Sequence, residues 1–562
     1  QALLTQGLLG AVDIAIPISN VSSHSLEATT RVKKMAGLAL LVQVPLLLLN
    51  ICAALRFPES KPSALDDPLS LLQVDRGRLS TPHKKDLARH RAPSGVQCKN
   101  LENFGTYFTM EVVVGTPPQK LDLIPDTGSD YVVIPDCRCV RAGKCDPYKK
   151  CFQSQGSSTF AATDFAEKLA EAEKMKAAGE NLTLAYEVTK GLDGTLYAVL
   201  TYGSGPLTCS LGTDRITFGK TSATLEDSLF LVQSSEKLKV NQFGGLIGFG
   251  VPVDTGNKTL ITTREPLFMQ KAGVKRYSMC YNAAGEHGYL KWNLPKLTAP
   301  LGNVGTFHWG LDLQGVSVGN GASTDSSVLF CGASEMKPGM ETACGALPDS
   351  GTTHILGPKE QINTLFAAIC DNWPRCSKAA EKEGPGFPKM EMFLKLLMEC
   401  GDWLGPDERA LDDEVPPVTF HMGGKNGEKQ KVQLSSWSYI GETTIPKFKE
   451  IHKKFFGNDY IYPVPAGTTK TCSPSFEPHD YNTVKNGPIW ILGTPLFFDK
   501  TVSYDISLKP PAVSIDDTPC SPCDASLLST SGGGRRGRRK HQKIRSLNGP
   551  TREPDIDETL PL

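Results

Sequence analysis

The chain carries no excess of charge of either sign: 60 lysines and arginines stand against 60 aspartates and glutamates in 562 residues. Charge therefore gives no reason to expect a nucleic-acid or other polyanionic partner. Apolar runs long enough to cross a bilayer are absent after residue 55, so the body offers no membrane span. Helical patterns are few. What is abundant is glycine and proline, 53 and 40 residues, which implies many turns and hence many short strands. The length exceeds what one simple core holds, so two large lobes with extensions are expected. Sixteen cysteines spread along the chain point to an oxidising compartment rather than a cytosol.

The first residue is Gln, and Met35 reads as the true start, leaving 1–34 as an uncertain leader. "RVKKM" followed by the apolar "AGLALLVQVPLLLLNICAAL" has the layout of a secretory signal over 35–55, cleaved near Ala53 or Ala54. The run is also long enough to span a bilayer, so an uncleaved anchor competes; Gln43, Pro45 and Asn50 weigh against it. If Cys52 leaves with the signal, the cysteine count becomes odd, and at least one thiol is free or paired between chains. Residues 56–97 are polar and hold the basic cluster "RGRLSTPHKKDLARHR". Residues 524–562 form a basic tail around "GGGRRGRRKHQKIR", read as disordered, with nucleic-acid or membrane binding as the alternative.

The body divides into 98–298 and 299–523. From "NFGTYFTMEVVVGTPPQ" onward, β-branched and aromatic residues alternate between Gly-Pro turns, and similar runs recur to about residue 515. Three helices are expected. The first, 164–179, has Asp164 as N-cap, Glu167 three residues on and Gly179 as a stop; its apolar stripe is thin. The others are 358–370, with Ile362, Leu365, Phe366 and Ile369 on one face, and 387–400. The expected class is all-β with a few peripheral helices.

Within this pattern "LDLIPDTGSD" puts Asp126 after an apolar stretch and before Thr-Gly-Ser, and "GALPDSGTTHIL" does the same with Asp349. Either alone is an ordinary turn, since Asp, Ser, Thr and Gly are common turn residues. Each, however, has an apolar-apolar-Gly triplet downstream: Leu246-Ile247-Gly248 and Ile491-Leu492-Gly493. The order Asp turn, triplet, Asp turn, triplet is an internal repeat of two lobes.

The ordered landmarks "YFTMEVVVGTPPQKLDLIPDTGSD", "SSTF", "LTYGSG", "FGGLIGFG", "GTFHWGLDLQGVSVG", "LPDSGTTHILGP" and "WILGTPLF" resemble those of the pepsin-like aspartic endopeptidases over roughly 103–517. "DSGTT" and "LGTDRITF" lean toward the beta-secretase and plasmepsin side of that family. The resemblance implies a bilobal acid-protease fold with a cleft between two barrel-like lobes and a catalytic pair formed by Asp126 and Asp349, one per lobe. No metal, other cofactor or covalent intermediate is implied. In this family two carboxyl groups about 3 Å apart share one proton, one activating a water and the other donating to the scissile carbonyl. The Gly at each third position permits a tight turn that brings amides to the acids. Thr127, Ser129, Ser350 and Thr352 carry hydroxyls able to hold the two acids coplanar.

Tyr202 in "TYGSG" falls at the position of the flap tyrosine, with Gly203, Ser204 and Gly205 forming the hairpin tip. The structural alternative is a tyrosine on a hairpin face. Tyr202, Gly203, Ser204, Gly128, Gly351 and Thr352 are the expected substrate contacts, the substrate an extended polypeptide, and the protein a monomer. By the same resemblance the 56–97 pro-segment closes a zymogen by lying across an acidic cleft, a basic linker or processing site being the alternative. A non-catalytic peptide-binding protein on this fold is the rival from another class.

Several residues depart from the family pattern. Proline precedes both aspartates, at 125 and 348, and removes an N–H there. Asp130 adds an acid that would raise the pair's titration if it pointed inward. Val133 stands where many members have a Trp that holds the flap Tyr, and Gly244 replaces a common Asp. Sequons lie at Asn181 and Asn257. Cys137, Cys139, Cys145 and Cys151 are expected to form disulfides rather than a zinc site, since Cys-x-Cys is a poor zinc clip and no His accompanies it. Cys370, Cys376, Cys400 and Cys472 are expected to do similar work in the second lobe, with pairing unassigned.

Overall fold

The computed structural model describes residues 95–522, apart from 146–149, 178–185, 192–193, 203–204, 236–243, 253–266, 284, 320–327, 408 and 456–457. The leader, signal, nearly all of the pro-segment, the basic tail, Gly179, Asn181, Asn257, Gly203 and Ser204 lie outside the described residues. Among the described residues no helix is long and apolar enough to cross a membrane.

The alternating runs form strands, as their β-branched and aromatic content favours. Phe108–Val114 and Gln119–Asp126 form an antiparallel hairpin with Met110 opposite Leu123. The buried positions of Phe108–Val114 include Phe108, Met110, Val112 and Val114, the period of two expected of a strand with one face on the core. One fifteen-stranded sheet carries this hairpin, the flap-like hairpin Leu196–Tyr202 with Gly205–Phe218, and a run of strands from distant parts of the chain. In that run Gln97–Asn103 pairs with Gly288–Trp292, and Arg276–Cys280 pairs with Thr501–Asp505. The end of the chain's body is thereby sewn to its middle. A second, eight-stranded sheet contains Cys344–Pro348, Ile355–Gly357 and Gly487–Leu492. The fold is the all-β, two-lobed one that the sequence pattern implies.

The internal repeat is visible in register. Leu246–Gly248 lies parallel to the strand ending in Asp126, Gly248 opposite Asp126, and antiparallel to Val132–Pro135. Gly487–Leu492 lies parallel to Cys344–Pro348, Leu492 opposite Pro348, and antiparallel to Ile355–Gly357. In each lobe the apolar triplet region is therefore inserted between the strand that enters the Asp turn and the strand that leaves it.

The helices differ in part from expectation. Phe165–Ala177 begins as predicted: Asp164 Oδ1 accepts from the amides of Ala166 and Glu167 at 3.0 and 3.1 Å. Lys359–Asn372 buries the four predicted apolar residues, and Lys389–Met398 is shorter than the predicted 387–400. Between them lies Pro374–Glu383, which periodicity did not reveal because only Cys376 and Ala380 are buried along it. Its first turn is tied to the preceding helix by Cys370–Cys376. These three helices are less peripheral than expected, since Ile362, Leu365, Phe393 and Leu397 join the main core. The hairpin Ile440–Phe455 with Asn458–Pro474 is longer than any strand pair the sequence suggested and forms a sheet of its own. Cys400–Cys472 ties its base to the helical segment.

The cysteine expectation holds. Cys137–Cys151 and Cys139–Cys145 pin the loop after the first Asp turn, so these four thiols are not zinc ligands. Cys280–Cys520 and Cys331–Cys344 are further pairs, Cys98 is also disulfide-bonded, and Cys209, buried in the flap hairpin, is the free thiol among the described residues.

Candidate active site

Asp126 ends the strand Gln119–Asp126, and Asp349 follows the strand Cys344–Pro348; both are fully buried. The local sequence explains the burial, because each acid is carried inward by an apolar strand. Each carboxylate then accepts from its own turn. Gly128 N donates to Asp126 Oδ1 at 3.0 Å and Ser129 Oγ to Asp126 Oδ2 at 2.7 Å. Gly351 N donates to Asp349 Oδ1 at 2.8 Å and Thr352 Oγ1 to Asp349 Oδ2 at 2.5 Å. The two turns are the same device used twice.

The structure brings the turns together. A Cβ added to Gly128 would lie 2.8 Å from Cγ and from both oxygens of Asp349. The bare backbone of the first turn is thus packed on the carboxyl group of the second, a close approach that only glycine permits. Thr127 and Ser350 cross the junction. Thr127 Oγ1 donates to Pro348 O at 3.0 Å and accepts from Ser350 N at 2.9 Å. Ser350 Oγ donates to Pro125 O at 2.7 Å and accepts from Thr127 N at 3.1 Å. The four hydroxyls expected to hold the acids therefore split their work. Ser129 and Thr352 touch the carboxylates, whereas Thr127 and Ser350 hold one turn to the other through backbone.

The departures from the family pattern are accommodated. The bonds beside each proline are made by its neighbours: Ile124 N reaches Gly245 O, and Asp349 N reaches Leu492 O, both at 3.0 Å. The carbonyls of Pro125 and Pro348 are the acceptors of the crossed hydroxyls. Asp130 packs against Gly250, its Oδ1 2.0 Å from where a Cβ there would stand. Gly244 has backbone against it, with Asp122 O 2.9 Å from an added Cβ, so a side chain would not fit without movement. Tyr202 ends its strand opposite Gly205 and is buried in one cluster with Ile124, Val133 and Leu246.

Burial pushes the Asp349 carboxyl up to about 7, and the neighbouring charge of Asp126 and a hydrogen bond with it push the same way. The donors Thr352 and Gly351 oppose that shift without cancelling it. A site with one carboxyl group held neutral next to another can combine a general acid with a general base.

Residues that the sequence reading missed lie beneath the turns. Tyr281 Oη donates to Ser350 O at 3.1 Å, and Tyr504 Oη donates to Pro348 O at 3.2 Å. Tyr277 Oη and Trp309 Nε1 both donate to Phe249 O, at 2.5 and 2.9 Å. In sequence these are unremarked aromatics of strands such as "TVSYDISL"; nothing local shows where a hydroxyl will reach.

Two buried acids on mirrored turns, each flanked by its parallel triplet strand, are the architecture of an acid protease. Residues 188–510, more than half of the chain, match the family model described as eukaryotic aspartyl protease, and 108–263 match one described as xylanase inhibitor N-terminal. Renin-2 of Mus musculus is 22% identical over 448 residues, covering 78% of this chain and 87% of that protein. Cathepsin E of Mus musculus is 24% identical over 453 residues, covering 76% and 99%, and procardosin-A of Cynara cardunculus is 24% identical over 284 residues, covering 48% and 45%. The chain belongs to the eukaryotic aspartyl protease family and is an enzyme of the aspartic endopeptidase class.

Proposed function

We propose that the chain hydrolyses peptide bonds of extended polypeptides by activating a water between Asp126 and Asp349, with an acidic optimum. The observation that carries this reading is the packing of Gly128 on the Asp349 carboxyl group, which joins two mirrored acid turns into one site. Asp349, pushed up to about 7, is the member that holds the proton and donates it to the scissile carbonyl oxygen. Asp126 acts as the general base, drawing a proton from the water as it attacks the carbonyl carbon. Collapse of the gem-diol breaks the C–N bond: the leaving nitrogen takes the proton held by Asp126, and one gem-diol hydroxyl returns its proton to Asp349 as the C=O re-forms, restoring the pair. Activity falls as pH rises through about 7, where Asp349 loses its proton.

Tyr202, which ends its strand opposite Gly205, and the turn residues Gly128, Gly351 and Thr352 are the proposed contacts of the substrate backbone, with Gly203 and Ser204, which lie outside the described residues, as further candidates. The signal-like 35–55, the sequons at Asn181 and Asn257 and the disulfides support a secretory route to an endolysosomal, vacuolar or extracellular site. The basic 76–91 cluster supports synthesis as a zymogen. The lean toward the beta-secretase and plasmepsin side rests on "DSGTT" and "LGTDRITF" alone.

The test is cleavage of a denatured protein by the full chain, before and after trimming of its basic segment, from about pH 3 to 8, beside Asp126→Asn and Asp349→Asn. Each substitution is expected to lower kcat by roughly three orders of magnitude or more. Cleavage that survives either one overturns the two-aspartate mechanism. A wild type that binds peptide but stays inert after trimming favours the non-catalytic peptide-binding reading.

A further inference from the structure

The two aspartates differ in what holds the peptide groups beside them. The carbonyl before Asp349, Pro348 O, accepts both the Thr127 hydroxyl at 3.0 Å and the Tyr504 hydroxyl at 3.2 Å. The carbonyl after it, Ser350 O, accepts the Tyr281 hydroxyl at 3.1 Å. Tyr504 Oη also lies 3.4 Å from Thr127 Oγ1, so its single proton is shared across the crossed bond that joins the two turns. On the other side Pro125 O takes its bond from Ser350 Oγ.

Both phenols come from the sheet that links the ends of the body. Tyr504 sits in Thr501–Asp505, and Tyr281 directly follows Arg276–Cys280. Their rings are fully packed. Tyr504 stacks on Tyr277 with centroids 5.0 Å apart and packs on Trp309 at 4.9 Å. Tyr281 stacks on Phe108 at 3.8 Å and meets Phe497 at 5.3 Å. Rings wedged in this way leave their hydroxyls little freedom to leave the carbonyls they face.

We propose that Tyr504 and Tyr281 are positioning residues for the reaction, their hydroxyls clamping the two carbonyls that flank Asp349 and so setting its carboxyl group against Asp126. This rests on the two-aspartate reading and deepens it. Proton transfer between paired acids depends on their mutual alignment, and displacement of a reacting group by about 1 Å can cost about a hundredfold in rate. The titratable groups facing Asp349 are Asp126 across the lobe junction and the Tyr504 phenol beneath, with Tyr281 beside the latter. Burial first, and then the charges of Asp349, Tyr281 and Asp126, hold the Tyr504 phenol well above its ordinary value, so it remains a neutral donor at working pH.

The fold supplies its own control. Tyr439 is an equally buried tyrosine whose hydroxyl also donates to a backbone carbonyl, Pro416 O, and neither residue belongs to an aspartate turn. Removing the Tyr439 hydroxyl therefore reproduces the loss of one buried tyrosine bond away from the two acids.

The experiment compares full-length wild type with Tyr504→Phe, Tyr281→Phe, the double variant and Tyr439→Phe. It measures kcat and KM for one peptide across pH. Separately it records the Tm difference between each protein and its Asp349→Asn derivative across pH, which reports the Asp349 titration without activity. The double variant is expected to lose kcat by about 10- to 100-fold with KM nearly unchanged. Its alkaline limb, and the pH at which the Tm difference opens, should both move to lower pH, because a loosened Asp349 gains water and loses its fixed contact with Asp126. Tyr439→Phe should match wild type in kcat and titration. The proposal is overturned if the double variant keeps wild-type kcat and titration, or if Tyr439→Phe reproduces its effect, which would reduce the tyrosines to packing. If Asp126→Asn and Asp349→Asn also keep full activity, the failure is of the two-aspartate reading itself.

Discussion

The first and second aspartate turns are built from nearly the same local sequence and yet are not equivalent. Both present an amide to Oδ1 and a hydroxyl to Oδ2, from Gly128 and Ser129 in one and from Gly351 and Thr352 in the other. Both follow a proline whose carbonyl accepts a hydroxyl from the opposite turn. The difference lies in the carbonyls beside them: tyrosine hydroxyls meet Pro348 O and Ser350 O on either side of Asp349, whereas Pro125 O takes its bond from Ser350 Oγ. Local sequence sets how a turn folds, and contacts with distant parts of the chain set what surrounds it. A symmetric motif can thus sit in asymmetric surroundings.

The largest effect on this comparison should come from Gly128→Ala. The added methyl has no room beside Asp349, so the lobes must part, with a loss of about 3 kcal/mol in denaturant unfolding and more than about a hundredfold in kcat. Unchanged activity would show that the turns are not in close contact. A smaller asymmetry should separate Ser350→Ala from Thr127→Val. The first strips Pro125 O of the Ser350 hydroxyl, at a cost of about 2 kcal/mol; the second leaves Pro348 O with Tyr504 and should cost about 1 kcal/mol. Equal losses in urea titrations would remove the asymmetry assigned to Tyr504. Smallest is the effect of Asp349→Asn on stability. Asp349 binds its proton more tightly in the folded chain, at about 7, than at its ordinary 3.8, so the folded state holds more protons between those values and stability falls as pH rises through them. The substitution removes that penalty, about 4 kcal/mol at pH 7 from those two values, but also loses the Thr352 hydroxyl bond to Oδ2, so the net gain at pH 7 is on the order of 1 kcal/mol, with little change below pH 4. Thermal unfolding at the two pH values checks the sign, and a loss of stability at pH 7 would contradict it.

Much of this was legible because it is local or repetitive. Asp164 caps its helix as its spacing to Glu167 suggested, and Ile362, Leu365, Phe366 and Ile369 are buried as their period required. The helix Pro374–Glu383 was missed because its buried face is two small residues held by a disulfide and by neighbouring helices rather than by a stripe of its own. The roles of Thr127 and Ser350 were legible only in kind. A hydroxyl beside a catalytic-type acid suggests a bond to that acid, whereas these two reach carbonyls more than two hundred residues away.

By itself the sequence determined the two turns, the apolar strands that carry each acid inward and the triplets that would lie beside them, because each depends on residues close in the chain. It also determined the family, through the order of its motifs. The tertiary structure alone decided that Gly128 faces Asp349, that Asp130 packs on Gly250, and that Tyr281 and Tyr504 reach Ser350 O and Pro348 O on either side of Asp349. Those contacts join residues far apart in sequence within a low-dielectric interior, where burial and neighbouring charge, rather than residue type, set the affinity of an acid for its proton.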